Sequence, residues 1–141
     1  MRGMRRANAG MTLEELLTVV VIVGILASIA IPSYRGYVLR ANRADGKSAL
    51  LALAGALERC FTRDNVYNGP TCNATIASLP LTVPSGKYQI TNGGIAATTY
   101  SLNAVPQGAQ TADTKCGTFT LDDKNTRGAS GTSGSQECWN H

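Results

Sequence analysis

The sequence predicts an α+β chain, with one long N-terminal helix over about residues 11–61 packed against a C-terminal antiparallel sheet of three to four strands. Three observations predict it. Leu16–Tyr34 is a run of 19 residues without a charge, about the length a helix needs to cross a bilayer. After Pro32, apolar and small residues recur every three or four positions, which is helical periodicity. From Thr62 onward the composition turns to Asn, Gly, Pro, Ser and Thr, with short stretches of period-two alternation.

The elements follow in order. Residues 1–10, MRGMRRANAG, are basic and have no apolar core of their own. A secretory signal places its small-residue cleavage site after the apolar segment. Here Gly10 precedes that segment, so a cut after Gly10 leaves the segment on the mature chain. Residues 1–10 are therefore expected to be a cleaved leader, held on the cytoplasmic side by Arg2, Arg5 and Arg6. Residues 11–34 are the membrane-spanning half of the helix. Their anomaly is the pair Glu14 and Glu15 at its mouth, because a carboxylate in a bilayer is costly. Either both sit at a helix N-terminus, where the macrodipole favours anions, or one has a cationic partner.

Residues 35–141 are expected to form a globular head that includes the amphipathic half of the helix. Tyr34, Tyr37, Ala41, Ala44, Ser48, Leu51, Ala54, Leu57 and Phe61 mark its core-facing stripe. Arg35, Asn42, Arg43, Lys47 and Arg59 fall largely outside it. Thr62–Ser85 reads as a connecting loop with a turn at Asn68-Gly69-Pro70. Three strands follow, with Tyr88 and Ile90, then Tyr100, Leu102 and Ala104, then Phe119 and Leu121 on one face. Arg127–Gln136 reads as a Gly/Ser-rich loop. Trp139 either caps the core of the head or stands exposed for binding.

Cys60, Cys72, Cys116 and Cys138 form an even set behind an export signal, which points to disulfides in an oxidising compartment. Four cysteines allow three pairings. The sequential one, Cys60–Cys72 with Cys116–Cys138, closes short loops and is expected. Zinc fits poorly, since the set has no CxxC pair and the single histidine is His141. No Ser/His/Asp set, phosphate loop or metal-spaced cluster is present. The sequence is thus expected to be no enzyme, with no catalytic, cofactor-binding or metal residues.

The formal charge of +4 belongs mostly to the leader. Without residues 1–10 the chain has 10 Lys and Arg against 9 Asp and Glu, and from Thr62 onward the two are equal. Strong nucleic-acid binding therefore lacks a basic stripe, although Lys115, Lys124 and Arg127 could cluster.

The run Gly10-Met11-Thr12-Leu13-Glu14-Glu15-Leu16, followed by an apolar helix with Gly24 and Pro32, resembles the class III signal of type IV pilins. Pro106-Gln107-Gly108-Ala109-Gln110, Cys116-Gly117-Thr118-Phe119-Thr120-Leu121-Asp122 and Cys138-Trp139 resemble the PilE-type minor pilins, relatives of a DNA-uptake receptor pilin. The resemblance implies cleavage between Gly10 and Met11 by a prepilin peptidase and N-methylation of Met11. It implies that Glu15 pairs with the N-terminal amine of a neighbouring subunit, and that the helix between Gly24 and Pro32 unwinds on assembly. The partners it implies are other pilin subunits, the peptidase and the inner membrane, with weak DNA binding as an option. The chain would sit in the inner membrane, single-pass with a periplasmic head, and then in an extracellular pilus serving twitching motility, adhesion or DNA uptake. Two features depart from the family pattern. Met11 stands where Phe is usual, and Glu14 stands where an aliphatic residue is usual. A DNA-binding uptake pilin and a type II secretion pseudopilin are the alternatives. The four cysteines weigh against the second, whose heads more often rely on calcium.

Overall fold

A computed structural model describes residues 11–140. The leader, Gly10 included, lies outside the described residues, as does His141. The chain divides after Tyr37 into two compact units. Helix α1 spans Leu13–Asp64, 52 residues, somewhat beyond the expected 11–61. Its start follows a local rule. The Thr12 hydroxyl accepts the Glu15 backbone N–H at 3.3 Å, the first half of a Thr-x-x-Glu capping pattern.

In the second unit the buried residues of α1 are Arg43, Gly46, Leu50, Leu53, Ala54, Leu57 and Cys60. The expected stripe coincides with this set at Ala54 and Leu57. Upstream it is out of register, and Ala41, Ala44, Ser48 and Leu51 are exposed. The difference arises at Arg43, whose charge by itself suggests a solvent-facing position. Burying Arg43 and Gly46 selects a helix face that composition does not reveal.

Thr62–Ser85 is more than a loop. It contains helix α2, Pro70–Ala77, and the two-residue strand β1, Leu81–Thr82. Pro70 enters at the first turn of α2, where its missing N–H costs nothing. Gly69 at the cap has no side chain to offer, so Asp64 caps from a distance. Its carboxylate accepts the Thr71 N–H at 2.8 Å and the Thr71 hydroxyl at 2.7 Å. These bonds, the hydroxyl's first, hold Asp64 below the usual carboxylate range.

Strands β2 (Tyr88–Ile95), β3 (Tyr100–Pro106), β4 (Phe119–Asp122) and β5 (Arg127–Ala129) complete an antiparallel sheet in the order β1-β2-β3-β4-β5. A short 3₁₀ turn, Gly108–Ala112, lies between β3 and β4. The expected tail loop holds β5 and a final helix α3, Ser135–Asn140. The sheet therefore has five strands rather than three to four, the extra ones being two and three residues long. Such short edges present little unpaired backbone.

The expected alternation is borne out. Tyr88, Ile90, Tyr100, Leu102, Ala104, Phe119 and Leu121 are buried and share one core with Leu50, Leu53 and Leu57. Gly46 permits the closest approach of helix to sheet. A Cβ there would lie 2.8 Å from the Tyr88 ring.

Candidate functional site

Three features of the chain carry chemistry beyond plain core packing. The first is the N-terminal half of α1. It is long and apolar enough to cross a membrane, and none of that window is buried within the structure. Leu13, Val20 and Ile29 are 82%, 65% and 68% exposed. So much bare apolar surface requires a lipid or protein environment. Met11, Glu14 and Glu15 are also exposed. The two carboxylates occupy the first turn, where unpaired N–H groups favour negative charge. Gly24 and Pro32 both lie within the helix. Pro32 offers no N–H to the carbonyl one turn back, and a Cβ on Gly24 would meet nothing within 4 Å. The chain is helical through both positions.

The second feature is a buried polar seam between α1 and the segment linking β3 to β4. Arg43 donates through Nε to Asp113 Oδ2 and through Nη2 to Oδ1, both at 2.7 Å. Gln110, fully buried, donates to the Leu39 carbonyl at 3.1 Å and to the Tyr88 hydroxyl at 3.2 Å, and accepts from Asn42 at 2.9 Å. A charge taken out of water is tolerable when it is paired and every remaining donor is satisfied. Among the described residues, no buried side-chain polar atom lacks a partner. The bond from Asp113 raises the Arg43 pKa against the opposing effect of burial. Sequence reasoning missed this seam because its members lie about 70 positions apart.

The third feature is the C-terminal region closed by Cys116–Cys138, whose Cα atoms are 5.6 Å apart. The other pair, Cys60–Cys72, joins α1 to α2 with Cα atoms 5.3 Å apart. Trp139 is half-buried. It meets Phe119 edge-on at 5.7 Å between centroids and donates its indole N–H to the Gly128 carbonyl at 2.9 Å. The Arg127 guanidinium lies 5.2 Å above the Trp139 ring, a cation–π distance. Trp139 is therefore a cap on the core with one face covered by Arg127. Lys47 donates to the Cys138 and Trp139 carbonyls at 3.2 and 3.3 Å, a cation at the carbonyl end of α3. Burial lowers the Lys47 pKa, and neighbouring Arg43 adds to the effect. Lys124 lies in the turn between β4 and β5. There the Asp122 carboxylate accepts the Thr126 and Lys124 N–H groups at 2.7 and 3.0 Å, and it is held below the usual range by them, Thr126 foremost. Lys115 is exposed just before the second disulfide. Among the described residues no His/Cys/Asp/Glu group has the arrangement to hold a metal ion.

Residues 32–120 match the family described as type IV minor pilin ComP, DNA uptake sequence receptor. The chain is 35% identical over 115 residues to the fimbrial protein EcpC of Eikenella corrodens, spanning 76% of this chain and 72% of that protein. It is 34% identical over 106 residues to a fimbrial protein of Neisseria meningitidis, and there the match spans 71% of this chain and 60% of the relative. The type IV major pilin protein PilE1 of Neisseria gonorrhoeae is 31% identical over 70% of this chain and 61% of its own length. In fold, the chain is similar to the non-core minor pilin PilV of Neisseria meningitidis. The TM-score is 0.54 at 21% identity, covering 68% of this chain and 90% of that structure.

Proposed function

The chain belongs to the type IV pilin family, and from that premise we propose that it is a minor-type pilus subunit, polymerising through the apolar half of α1 and displaying the disulfide-stapled head. The observation that carries the reading is the bare apolar helix that opens on two carboxylates. Before assembly this segment rests in the inner membrane as a single pass, with the head in the periplasm. A prepilin peptidase cuts between Gly10 and Met11, and the new Met11 amine is methylated.

During docking the Glu15 carboxylate meets the Met11 amine of an adjacent subunit. In an apolar surround that pair attracts far more strongly than in water, and an unpaired carboxylate is penalised. The docking register thereby fixes itself. Glu14 has a separate account, since it lies in the helix's first turn, stabilised by the macrodipole. Gly24 and Pro32 supply the segment that unwinds in the filament. The family is one of structural subunits, and we assign this chain no catalytic role.

The test is mass spectrometry of the subunit in sheared pili. Its mature chain should begin at N-methylated Met11. A different first residue would sink the cleavage reading, and absence of the chain from pili would sink the function.

A second reading adds DNA capture to this structural role. It is supported by the match to a family described as a DNA uptake sequence receptor. The near-neutral head argues for local contacts rather than a broad basic surface.

A further inference from the structure

A cleft of about 220 Å³ lies between the end of α1 and α2, beside the first disulfide. Its walls are Arg59 and Arg63 from α1, Thr71 and Thr75 from α2, with Ala56 and Cys60 completing it. Arg59 and Arg63 are one helical turn apart, so their side chains share a face. Thr71 and Thr75 have the same spacing on the facing helix. Neither guanidinium makes a hydrogen bond or an ion pair among the described residues, where Arg43–Asp113 is the salt bridge. Asp64, which follows Arg63 in sequence, has both oxygens taken by Thr71 and interacts with Arg63 through charge alone. Glu58 accepts the Tyr67 hydroxyl at 2.9 Å.

The two walls are also held rigid. Cys60–Cys72 bolts α1 to α2, and the Asp64–Thr71 bonds fix the first turn of α2. Two guanidiniums without a hydrogen-bond partner beside the Thr75 hydroxyl, on walls that need no rearrangement, form a site for a tetrahedral oxyanion, whereas the Thr71 hydroxyl is committed to Asp64. Guanidinium forks match phosphate geometry and hydroxyls add donors.

We propose that this cleft binds the phosphodiester backbone of a nucleic acid, with Arg59 and Arg63 as the anchoring cations. The proposal rests on the DNA-capture reading and locates an anchor that the net charge of the head conceals. A phosphate contact positions the strand without reading bases, so its removal weakens binding evenly across sequences.

The test uses the full-length mature chain in detergent micelles, with duplex DNA of two unrelated sequences as probe. The double variant Arg59→Gln, Arg63→Gln should bind both duplexes roughly tenfold more weakly. The slope of log affinity against log salt should fall by about two, one for each phosphate that is no longer neutralised. Both arginines are exposed, so the melting temperature should hold. The variant Arg40→Gln, Lys87→Gln removes the same charge elsewhere and should keep the wild-type slope. Unchanged binding in the first variant, or equal weakening in the second, would overturn the site while leaving DNA capture intact. Wild-type chain that ignores DNA would bring down the DNA-capture reading and the site with it. Weakened binding to anionic vesicles alone would assign the cleft to lipid and overturn the proposal.

Discussion

Arg43 lies in the core of the head, 7% exposed, and survives there because Asp113 meets it with both oxygens. Removing one partner leaves the other charge buried and unpaired, at a cost of about 3–5 kcal/mol. Arg43→Met should therefore lower the melting temperature sharply. The double change Arg43→Met, Asp113→Leu should recover much of the loss. Denaturant melts of the three chains decide it, and a double variant as weak as the single would show that the pair contributes more than mutual neutralisation. Gly46 sets a similar balance. Alanine gains about 1 kcal/mol of helix propensity, but its methyl would press on a fully buried Tyr88 ring, and overpacking costs about 1–3 kcal/mol. Since Tyr88 cannot move aside, Gly46→Ala should destabilise the head despite the better helix former. The roles proposed for Glu15 and Glu14 differ, and variants separate them. Glu15→Val should reduce incorporation into pili more than tenfold, since the Met11 amine of the docking subunit would lose its partner. Glu14→Leu should be milder. Immunoblots of sheared pili report both, and the opposite order would reverse the assigned roles.

Helix and strand segments are held by different means. The long α1 has its hydrogen bonds within itself, whereas α2 and α3, at eight and six residues, are too short to persist alone in water. Each is tied by a disulfide. Closing loops of 12 and 22 residues stabilises by roughly 3 kcal/mol each in the chain-entropy model. Replacing Cys116 and Cys138 with serine should lower stability by about that amount. It should also release Trp139, read as a rise in its fluorescence quenching by iodide, and unchanged quenching would mean that Lys47 and Phe119 suffice to hold α3. The core buries three tyrosines that respond to alkali, Tyr88 of β2, Tyr100 of β3 and Tyr67 of the turn between α1 and α2. Desolvation pushes the Tyr88 hydroxyl up to about 12 and, with help from Glu58, Tyr67 up to about 12. Tyr100 is raised as well, for the same reason first. In the unfolded chain tyrosine ionises near 10. The folded state holds its protons longer, so this stabilisation is complete below pH ~10 and is lost as pH rises towards ~12. The melting temperature should fall over that window, and Tyr88→Phe should flatten the fall. An unchanged slope in the variant would assign the effect to Tyr67 and Tyr100.

In the whole molecule the two units answer to different solvents. The unit from Val38 onward contains the buried core, both disulfides and the polar seam, so it should fold without the apolar segment. A chain beginning at Val38 should melt at the temperature of the full-length protein in detergent. It should also fail to enter pili, because it lacks Met11 and Glu15. Thermal melts beside pilus incorporation give both halves of the test. A truncated chain that melts early would show that the head draws stability from the segment before it.

The sequence contained, in local form, the long helix, the strand faces of β2, β3 and β4, and the apolar segment with its two carboxylates. These are legible because periodicity and charge are properties of neighbouring residues. The Thr12 cap belongs with them, since Thr-x-x-Glu is a local signal, although it formed no part of the expectation. The core-facing side of α1 was not legible, since Arg43 looks solvent-bound until Asp113 and Gln110 are folded against it from 70 and 68 positions away. The same holds for α2, whose Gly69 cap is bare and whose capping carboxylate comes from Asp64, and for β5 and α3 in a Gly/Ser-rich tail. Short elements with weak propensity take their shape from the surface they land on. Local chemistry therefore fixed which segments become helix or strand and which must leave water. Tertiary contact chose the buried face, because satisfying a charge inside the core depends on partners that chain order does not reveal.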